Sequence, residues 1–214
     1  MVEPALRDSA VELGLDVSPE WVAYGDIESH AISAAQGIFV APASPVDDDS
    51  RLIGAIKFAR ESGVPCIGTC GGFQKIIAEY ALNELSYDRI EHQEISPSFS
   101  DPLFSELQCS LVGEKSEVLI EAGTMAASVY GVLKSEESFF CRYGINPSHI
   151  ERITSKSLRI SATGINQEAR IVEHIEHPFF VGCLFVPQVC SSIQSPHPLI
   201  TAFLEHSAGG QNRS

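Results

Sequence analysis

The stretch SRLIGAIKFARESGVPCIGTCGGFQKIIAEYALNEL, residues 50–85, decides the fold of the chain. Residues 50–63 place apolar side chains at helical spacing and end at a glycine, a common helix stop. Residues 64–70 are a short apolar run typical of a buried strand, and residues 72–85 return to helical spacing. A similar apolar run, GIFVAP, precedes them at 37–42. Alternating strands and helices predict βαβ units, so we expect an α/β fold with a mainly parallel sheet between two helical layers.

The rest of the chain is predicted to hold a helix near each end and short strands between them. Residues 5–15 have helical spacing, with Leu6, Val11 and Leu15 toward one face. Residues 105–121 are expected to form a hairpin-like insert. Further segments are expected as strands at 138–146, 158–164, 168–177 and 179–187, and as a final helix at 197–208. We therefore predict one domain over residues 1–208 and a disordered tail over 209–214.

The charge balance excludes some classes of partner. The chain has 28 acidic and 14 basic residues, a net charge of −14. Binding to nucleic acid or to an anionic membrane needs clustered Lys and Arg, and the basic residues here are scattered. No apolar run approaches the roughly 18 residues of a membrane span, and the N-terminus lacks the pattern of a signal peptide. We expect a cytoplasmic protein with neither nucleic acid nor membrane as a partner.

The cysteine pattern argues against a metal centre. There are six cysteines and no CxxC pair, so a zinc ribbon or a thioredoxin-type motif is absent. The phosphate-binding motif GxxxxGK[ST] is also absent, and we expect neither a cofactor nor a metal ion. In a reducing cytosol most of the cysteines are expected to be free thiols. Cys66 and Cys183 lie in apolar runs and are assigned to the core.

The turn GTCGG differs from the other cysteine environments. It matches the pattern Gly-x-nucleophile-x-Gly, with Gly68, Cys70 and Gly72. A sharp strand-to-helix turn exposes the nucleophile, aims the N–H of Gly71 at the space above it as an oxyanion donor, and adds the positive end of a helix dipole. The alternative is that the glycines serve a strand–helix junction and Cys70 is a buried thiol.

Several ordered motifs together resemble the class I glutamine amidotransferase domain of CTP synthases, over nearly the whole chain. The family's cysteine turn G-[IV]-C-L-G-M-Q corresponds to GTCGGFQ (68–74), and its R-x-R-Y-E-V-N corresponds to FCRYGIN (140–146). The G-G-T-M motif corresponds to AGTM (122–125), and the final H-P-F-F-x-x-x-Q-F-H-P-E region to HPFFVGCLFVPQ (177–188). The resemblance implies a flavodoxin-like class I glutamine amidotransferase fold and a family activity that hydrolyses glutamine to ammonia for CTP synthesis.

The resemblance also implies roles for individual residues. Cys70 matches the nucleophile. Gln74, Glu94 and Arg142 match residues that hold the substrate glutamine. Without the resemblance, Gln74 would be read as part of a polar helix face and Arg142 as a member of a surface ion pair.

The sequence departs from the family at the residues that transfer protons in the family's reaction. The family's F-H-P-E carries the general base His and its orienting Glu, and here the same place reads Phe-Val-Pro-Gln, with Val186 and Gln188 at the two catalytic positions. Valine cannot transfer a proton, and a neutral amide cannot stabilise an imidazolium. General acid–base catalysis is worth roughly 10²–10⁴ in rate, so glutaminase activity is expected to be very low.

Two further features bear on catalysis. The family's oxyanion loop V-P-G-G-F-G is replaced by VAPASPV (40–46), where Ala43 and Ser44 take the places of glycines. A relocated base is the remaining route to activity. His92, two residues before Glu94, is a candidate for it, whereas the resemblance implies a structural role for His177, which the family also has beside its catalytic His.

Three functions remain open at this point. The first is a CTP-synthase-type homologue without the ATP-dependent synthetase domain, which binds glutamine or a related amino acid without efficient hydrolysis, alone as a homo-oligomer or with a protein partner. The second is a cysteine hydrolase or transferase with a relocated base, and the third is a non-catalytic interaction protein. The family domain begins with a strand before its first helix, and this sequence starts inside that helix. We expect either a misplaced start or a sheet that is rearranged or completed by a partner.

Overall fold

A computed structural model describes residues 1–27, 29–43 and 49–209. The helices are α1 Val2–Leu13, α2 Ser29–Ala34, α3 Ser50–Ser62, α4 Gly71–Asn83, α5 Met125–Tyr130, α6 Ile150–Ile153, α7 Pro187–Cys190 and α8 Pro198–Gly209. The strands are β1 Ile38–Val40, β2 Cys66–Thr69, β3 Phe104–Glu106, β4 Glu114–Ile120, β5 Lys134–Phe139, β6 Tyr143–Ile145, β7 Leu158–Thr163, β8 Ala169–His174 and β9 Phe180–Cys183. The predicted tail lies outside the described residues, apart from Gly209, which ends α8.

The main sheet has seven strands in the order β1-β2-β9-β8-β7-β4-β5, and β3 and β6 form a separate pair. The α/β class and the class I glutamine amidotransferase-like fold are confirmed, and the sheet is mixed. It is parallel only from β1 through β2 to β9, and the remaining neighbours are antiparallel. Two of the six neighbouring pairs are thus parallel, and the expectation of a mainly parallel sheet describes only the part from β1 to β9. Residues 164–168 and 175–179 link β7, β8 and β9 and are too short for the crossover that parallel neighbours need.

The helical layers pack as the apolar pattern requires. Helices α3 and α4 pack together, with α4 lying on β2 and β9, and α1 packs against α8.

The predicted face of the first helix is wrong in one position, because Val11 is 65% exposed. The buried stripe is instead made by Val2, Ala5, Leu6, Ser9 and Ala10. This stripe keeps helical spacing but is rich in small residues, which an apolarity pattern alone does not select.

The predicted hairpin-like insert over 105–121 is wrong. Strand β3 pairs with β6, and β4 pairs with β5 and β7. The hairpin thus joins β4 and β5 around α5, where the Thr124 hydroxyl accepts a hydrogen bond from the N–H of Ala127 at the start of the helix. Residues 138–146, expected as one strand, are divided between β5 and β6. The segments at 158–164 and 168–177 are strands, as predicted.

Strand β1 is the edge of the sheet. The N–H of Ile38 donates to the carbonyl oxygen of Pro65 (2.8 Å) on the β2 side. Since backbone groups alternate along a strand, the N–H and C=O of Phe39 point to the other side, where no strand within the described ranges pairs with β1. A groove of about 830 Å³ lies along this edge, between α1, α8 and residues 15–22.

Within the described ranges, no helix is both long enough and apolar enough to cross a bilayer. The cysteines at positions 66, 70, 109, 141, 183 and 190 are all free thiols, and the predicted core residues Cys66 and Cys183 are fully buried.

Candidate active site

The turn at Cys70 has the geometry of a nucleophile elbow. Strand β2 ends at Thr69, α4 begins at Gly71, and Cys70 between them has φ 54° and ψ −110°. The N–H of Cys70 donates to the carbonyl of Cys183 (2.9 Å), and its carbonyl accepts from the N–H of Phe73 (3.1 Å). A positive φ at a non-glycine residue costs on the order of 1–3 kcal/mol and persists only where surrounding contacts impose it. The strained turn exposes the thiol at the carboxyl end of the parallel half of the sheet.

The glycines after Cys70 let the loop that follows β1 lie directly on the start of α4. A Cβ at Gly71 would lie 1.9 Å from the carbonyl oxygen of Ala43, and one at Gly72 would lie 2.1 Å from that of Val40. Both contacts are with backbone, so neither could relax by a side-chain rotation. The structure thus brings Ala43 and Gly71, the predicted oxyanion residues, into contact. Ser44, the third predicted residue, lies outside the described residues.

The surroundings of Cys70 favour its thiolate. A hydrogen bond with the thiol of Cys141 lowers the pKa of Cys70 most, the N–H of Gly71 lowers it further, and burial opposes them. The thiol also lies at the N-terminus of α4, where the helix dipole favours negative charge. Cys141 is 5% exposed. Its own pKa is raised, first by the hydrogen bond with Cys70 and then by burial.

One of the two degenerate positions contacts the strand end that leads into the elbow. Val186 is 3% exposed and immediately precedes α7, and its N–H donates to the carbonyl of Ser138 (2.9 Å). The side-chain amide of Gln188 donates to Thr69 Oγ1 (3.3 Å), while its buried Oε1 has no partner among the described residues. Gln188 therefore touches the residue that precedes Cys70. Neither side chain at these positions can accept or release a proton near neutral pH.

The two histidines considered as relocated bases have both ring nitrogens engaged elsewhere. His92 Nδ1 accepts from the N–H of Glu94 (3.2 Å), so its Nε2 carries the hydrogen and donates to Gln74 Oε1 (3.2 Å). Burial, with a smaller effect of the Lys75 charge, lowers the pKa of His92 to about 4. His177 Nδ1 accepts from the N–H of Phe179, and its Nε2 donates to the carbonyl of Ala59 (3.0 Å each).

The predicted glutamine-holding residues lie close to one another, although not all are free. The Gln74 amide is held between His92 and the carbonyl of Tyr143, to which it donates (3.2 Å). Glu94 is exposed in the turn that follows His92. The side chain of Arg142 is exposed and pairs with Glu106 Oε1 (2.8 Å), as the surface-ion-pair interpretation predicted.

Sequence reasoning missed two residues of this site. Cys141 stands inside the FCRYGIN motif, where only its neighbour Arg142 was singled out. Arg170 on β8 is 3% exposed, donates from Nη2 to Glu168 Oε2 (3.1 Å), and its charge slightly opposes the rise in the pKa of Cys141. Its Nε and Nη1 have no partner among the described residues, and burial lowers its pKa. The available signals were a second thiol within a family motif and an arginine inside an otherwise apolar strand pattern.

Across the described ranges, no group of three or more His, Cys, Asp or Glu side chains could hold a metal ion.

Comparison with known proteins gives matches to the sequence and to the fold, and no family model matches the chain. A CTP synthase of Halobacterium salinarum is 32% identical over 216 residues, which cover 95% of this chain and 39% of the relative. The chain thus spans about two fifths of the length of the curated relatives that it matches. The glutaminase domain of Trypanosoma brucei CTPS, solved with bound acivicin, superposes with a TM-score of 0.89 at 20% identity, covering 97% of this chain and 87% of that domain.

A more distant match has the same fold. A glutamine amidotransferase of Thermotoga maritima superposes with a TM-score of 0.60 at 8% identity, covering 99% of this chain and 93% of that one. The sequence matches and the fold agree, and the chain is a homologue of the glutaminase domain of CTP synthase with the class I glutamine amidotransferase fold.

Proposed function

We propose that this protein binds glutamine or a similar α-amino acid at the Cys70 elbow and hydrolyses it slowly or not at all. It would then act as an amino-acid sensor or as one component of a larger assembly. One observation carries the proposal: the elbow is kept, with its thiolate-favouring contacts, while the residue that contacts Thr69 just before it is the neutral amide of Gln188.

The proposal follows from what each half of the reaction needs. A thiolate at Cys70 is able to attack the side-chain amide carbon of glutamine, and the N–H of Gly71 is placed to face the developing oxyanion. Release of ammonia then needs a proton donor with a pKa near neutral. The thiol of Cys141 has a raised pKa, and the neutral amide of Gln188, which donates to Thr69, has no proton to give near neutral pH. The slow step is therefore the departure of ammonia.

The elbow is tested first with a covalent probe. Acivicin, bound in the structure of the T. brucei domain, is incubated with the purified chain, and the labelled residue is identified by mass spectrometry. We expect a single adduct on Cys70, lost in Cys70→Ser and retained in Cys190→Ser. Absence of an adduct on Cys70, with the protein folded, would overturn the proposal and support a non-catalytic interaction protein.

Binding and turnover are then measured separately. Glutamine at 100 times its dissociation constant stabilises a protein by about 2.7 kcal/mol, which raises Tm by several degrees in a chain of this size. We expect this shift together with negligible ammonia release. A turnover of about 1 per second, ordinary for an enzyme, would instead show a working base. The engaged nitrogens of His92 and His177 argue against that outcome.

A further inference from the structure

His92 joins parts of the candidate glutamine site that come from separate segments of the chain. Its Nδ1 accepts from the N–H of Glu94 (3.2 Å), and its Nε2 bonds to Gln74 Oε1 (3.2 Å). The Gln74 amide nitrogen in turn donates to the carbonyl oxygen of Tyr143 (3.2 Å). His92 is buried, and its ring centroid lies 4.9 Å from that of Tyr143 and 5.5 Å from that of Phe104. Packing and hydrogen bonds thus both fix the imidazole.

Two backbone groups set the direction of these hydrogen bonds. A backbone N–H only donates, and a backbone carbonyl oxygen only accepts. Because Glu94 supplies an N–H, His92 Nδ1 is the acceptor and Nε2 carries the hydrogen. Because Tyr143 supplies a carbonyl, the Gln74 amide turns its nitrogen toward Tyr143 and its oxygen toward His92. The two ends of this chain of bonds therefore impose the same orientation on the Gln74 amide.

We propose that His92 is a positioning residue, which holds the Gln74 amide so that its second N–H donates to an oxygen atom of the bound amino acid. This inference rests on the proposed function, because it concerns the same site. Gln74 follows Cys70 by four residues at the start of α4, a spacing that brings side chains to the same side of a helix. Its amide nitrogen carries two hydrogens, of which the Tyr143 carbonyl takes one. The other has no acceptor among the described residues.

The orientation of the amide determines which ligand group binds at Gln74. Its oxygen is already bonded to His92, so the group that Gln74 offers to a ligand is a donor. An oxygen of the ligand, from its side-chain amide or its carboxylate, accepts from that donor. An ammonium group has only donors and is excluded from this position. Without the donor of His92, the Gln74 oxygen loses its partner and the amide loses its fixed orientation.

The experiment uses two variants that separate the ring of His92 from its hydrogen bonds. His92→Phe keeps an aromatic ring and removes both bonds, whereas His92→Gln removes the ring and keeps a donor for Gln74. Each variant is treated with acivicin, an amino-acid probe, and separately with iodoacetamide, which lacks an α-amino acid group and reports the reactivity of the thiol alone. We expect acivicin to label Cys70 roughly tenfold more slowly in His92→Phe, the upper end for one lost hydrogen bond. In His92→Gln the rate returns toward the wild-type value, and the iodoacetamide rates of all three proteins are equal.

The outcomes separate this inference from the proposed function. Equal acivicin rates in the wild-type chain and in His92→Phe would overturn the positioning role. Equal losses in both variants, or a matching loss of the iodoacetamide rate, would also overturn it, because they indicate that the ring acts only through packing. In each of these cases the wild-type chain is still labelled and the proposed function stands. A wild-type chain that acivicin does not label overturns both.

A second measurement needs no variant to fold. The ¹⁵N NMR signals of the histidine rings at neutral pH distinguish the two neutral tautomers of His92 in the wild-type chain. We expect the hydrogen on Nε2. A hydrogen on Nδ1 would overturn the proposal whether or not glutamine binds, because His92 could not then donate to Gln74.

Discussion

Restoring a base and its orienting carboxylate is expected to restore glutamine hydrolysis. The double substitution Val186→His and Gln188→Glu puts an imidazole and a carboxylate at the two degenerate positions, of which 188 touches Thr69, the residue before Cys70. A positioned acid–base group contributes roughly 10²–10⁴ in rate. At 1.36 kcal/mol per factor of ten, this is about 3–5 kcal/mol of transition-state stabilisation.

The stability cost of this double substitution is limited by the same geometry. Val186 and Gln188 are both almost fully buried, and a larger side chain in a packed site typically costs about 1–3 kcal/mol. Domains of this kind have roughly 5–15 kcal/mol of stability, so the variant is expected to fold. Gln188→Glu also loses the amide that donates to Thr69. The hydroxyl of Thr69 is itself a donor and is able to bond the new carboxylate.

The assay measures ammonia release from saturating glutamine by the wild-type chain and the double variant. We expect the variant to exceed the wild-type rate by at least about a hundredfold, the lower limit of general-base catalysis. Val186→Leu with Gln188→Glu is the matched control without an imidazole, and adding Cys70→Ser to the double variant abolishes the gain. A variant that is folded and alkylated at Cys70 but has wild-type turnover would refute the reasoning, because the missing base would not then be what limits hydrolysis.

Two predictions concern stability. Gly72→Ala is expected to lower the free energy of unfolding by about 3 kcal/mol, the upper end for overpacking, because its Cβ would meet the Val40 carbonyl at 2.1 Å. Urea titration measures this, with Gly54→Ala in α3 as the control, because a Cβ at Gly54 has no atom within 4 Å. Helix propensity predicts that the control gains up to about 1 kcal/mol of stability. Equal changes in the free energy of unfolding for the two variants would contradict the close approach at Gly72. Burial lowers the pKa of His92 in the folded chain to about 4, from an ordinary value of 6.5. Between pH 6.5 and pH 4 the unfolded chain therefore binds more protons than the folded chain does. This contribution to stability is therefore present above pH 6.5 and lost as the pH falls through that window, by up to about 3 kcal/mol. Urea titrations at pH 7 and pH 4.5 should differ less in His92→Gln than in the wild-type chain, and an unchanged difference would show that other groups carry it.

The sequence predicted the elements around Cys70 because they rest on local signals. Apolar runs, helical spacing and the glycines of GTCGG are all read within about twenty residues, and the elbow is where they predicted it. The family motifs also located the degenerate positions, and Gln188 touches Thr69 across 119 residues of sequence.

What the sequence could not predict depends on contacts between distant segments. Residues 105–121 were predicted to form a local hairpin, whereas β3 pairs with β6. The alternation of apolar and polar residues marks a strand, but it does not identify the strand with which it pairs. Likewise, the polar interpretation of Gln74 could not show that its amide is held by His92 and by the carbonyl of Tyr143. Cys141 was overlooked for the same reason, since its importance lies in its position beside Cys70.

The glutamine-binding proposal can be tested at the sulfur of Cys70 itself. If glutamine occupies the elbow, it covers the thiol and slows its alkylation by acivicin. We expect saturating glutamine to reduce the rate of labelling at Cys70, with leucine as the control amino acid. Labelling at the same rate with and without saturating glutamine, in a folded chain, would overturn the binding proposal and leave a reactive thiol without a glutamine site. Two rates on one residue therefore separate an occupied glutamine pocket from an activated cysteine alone.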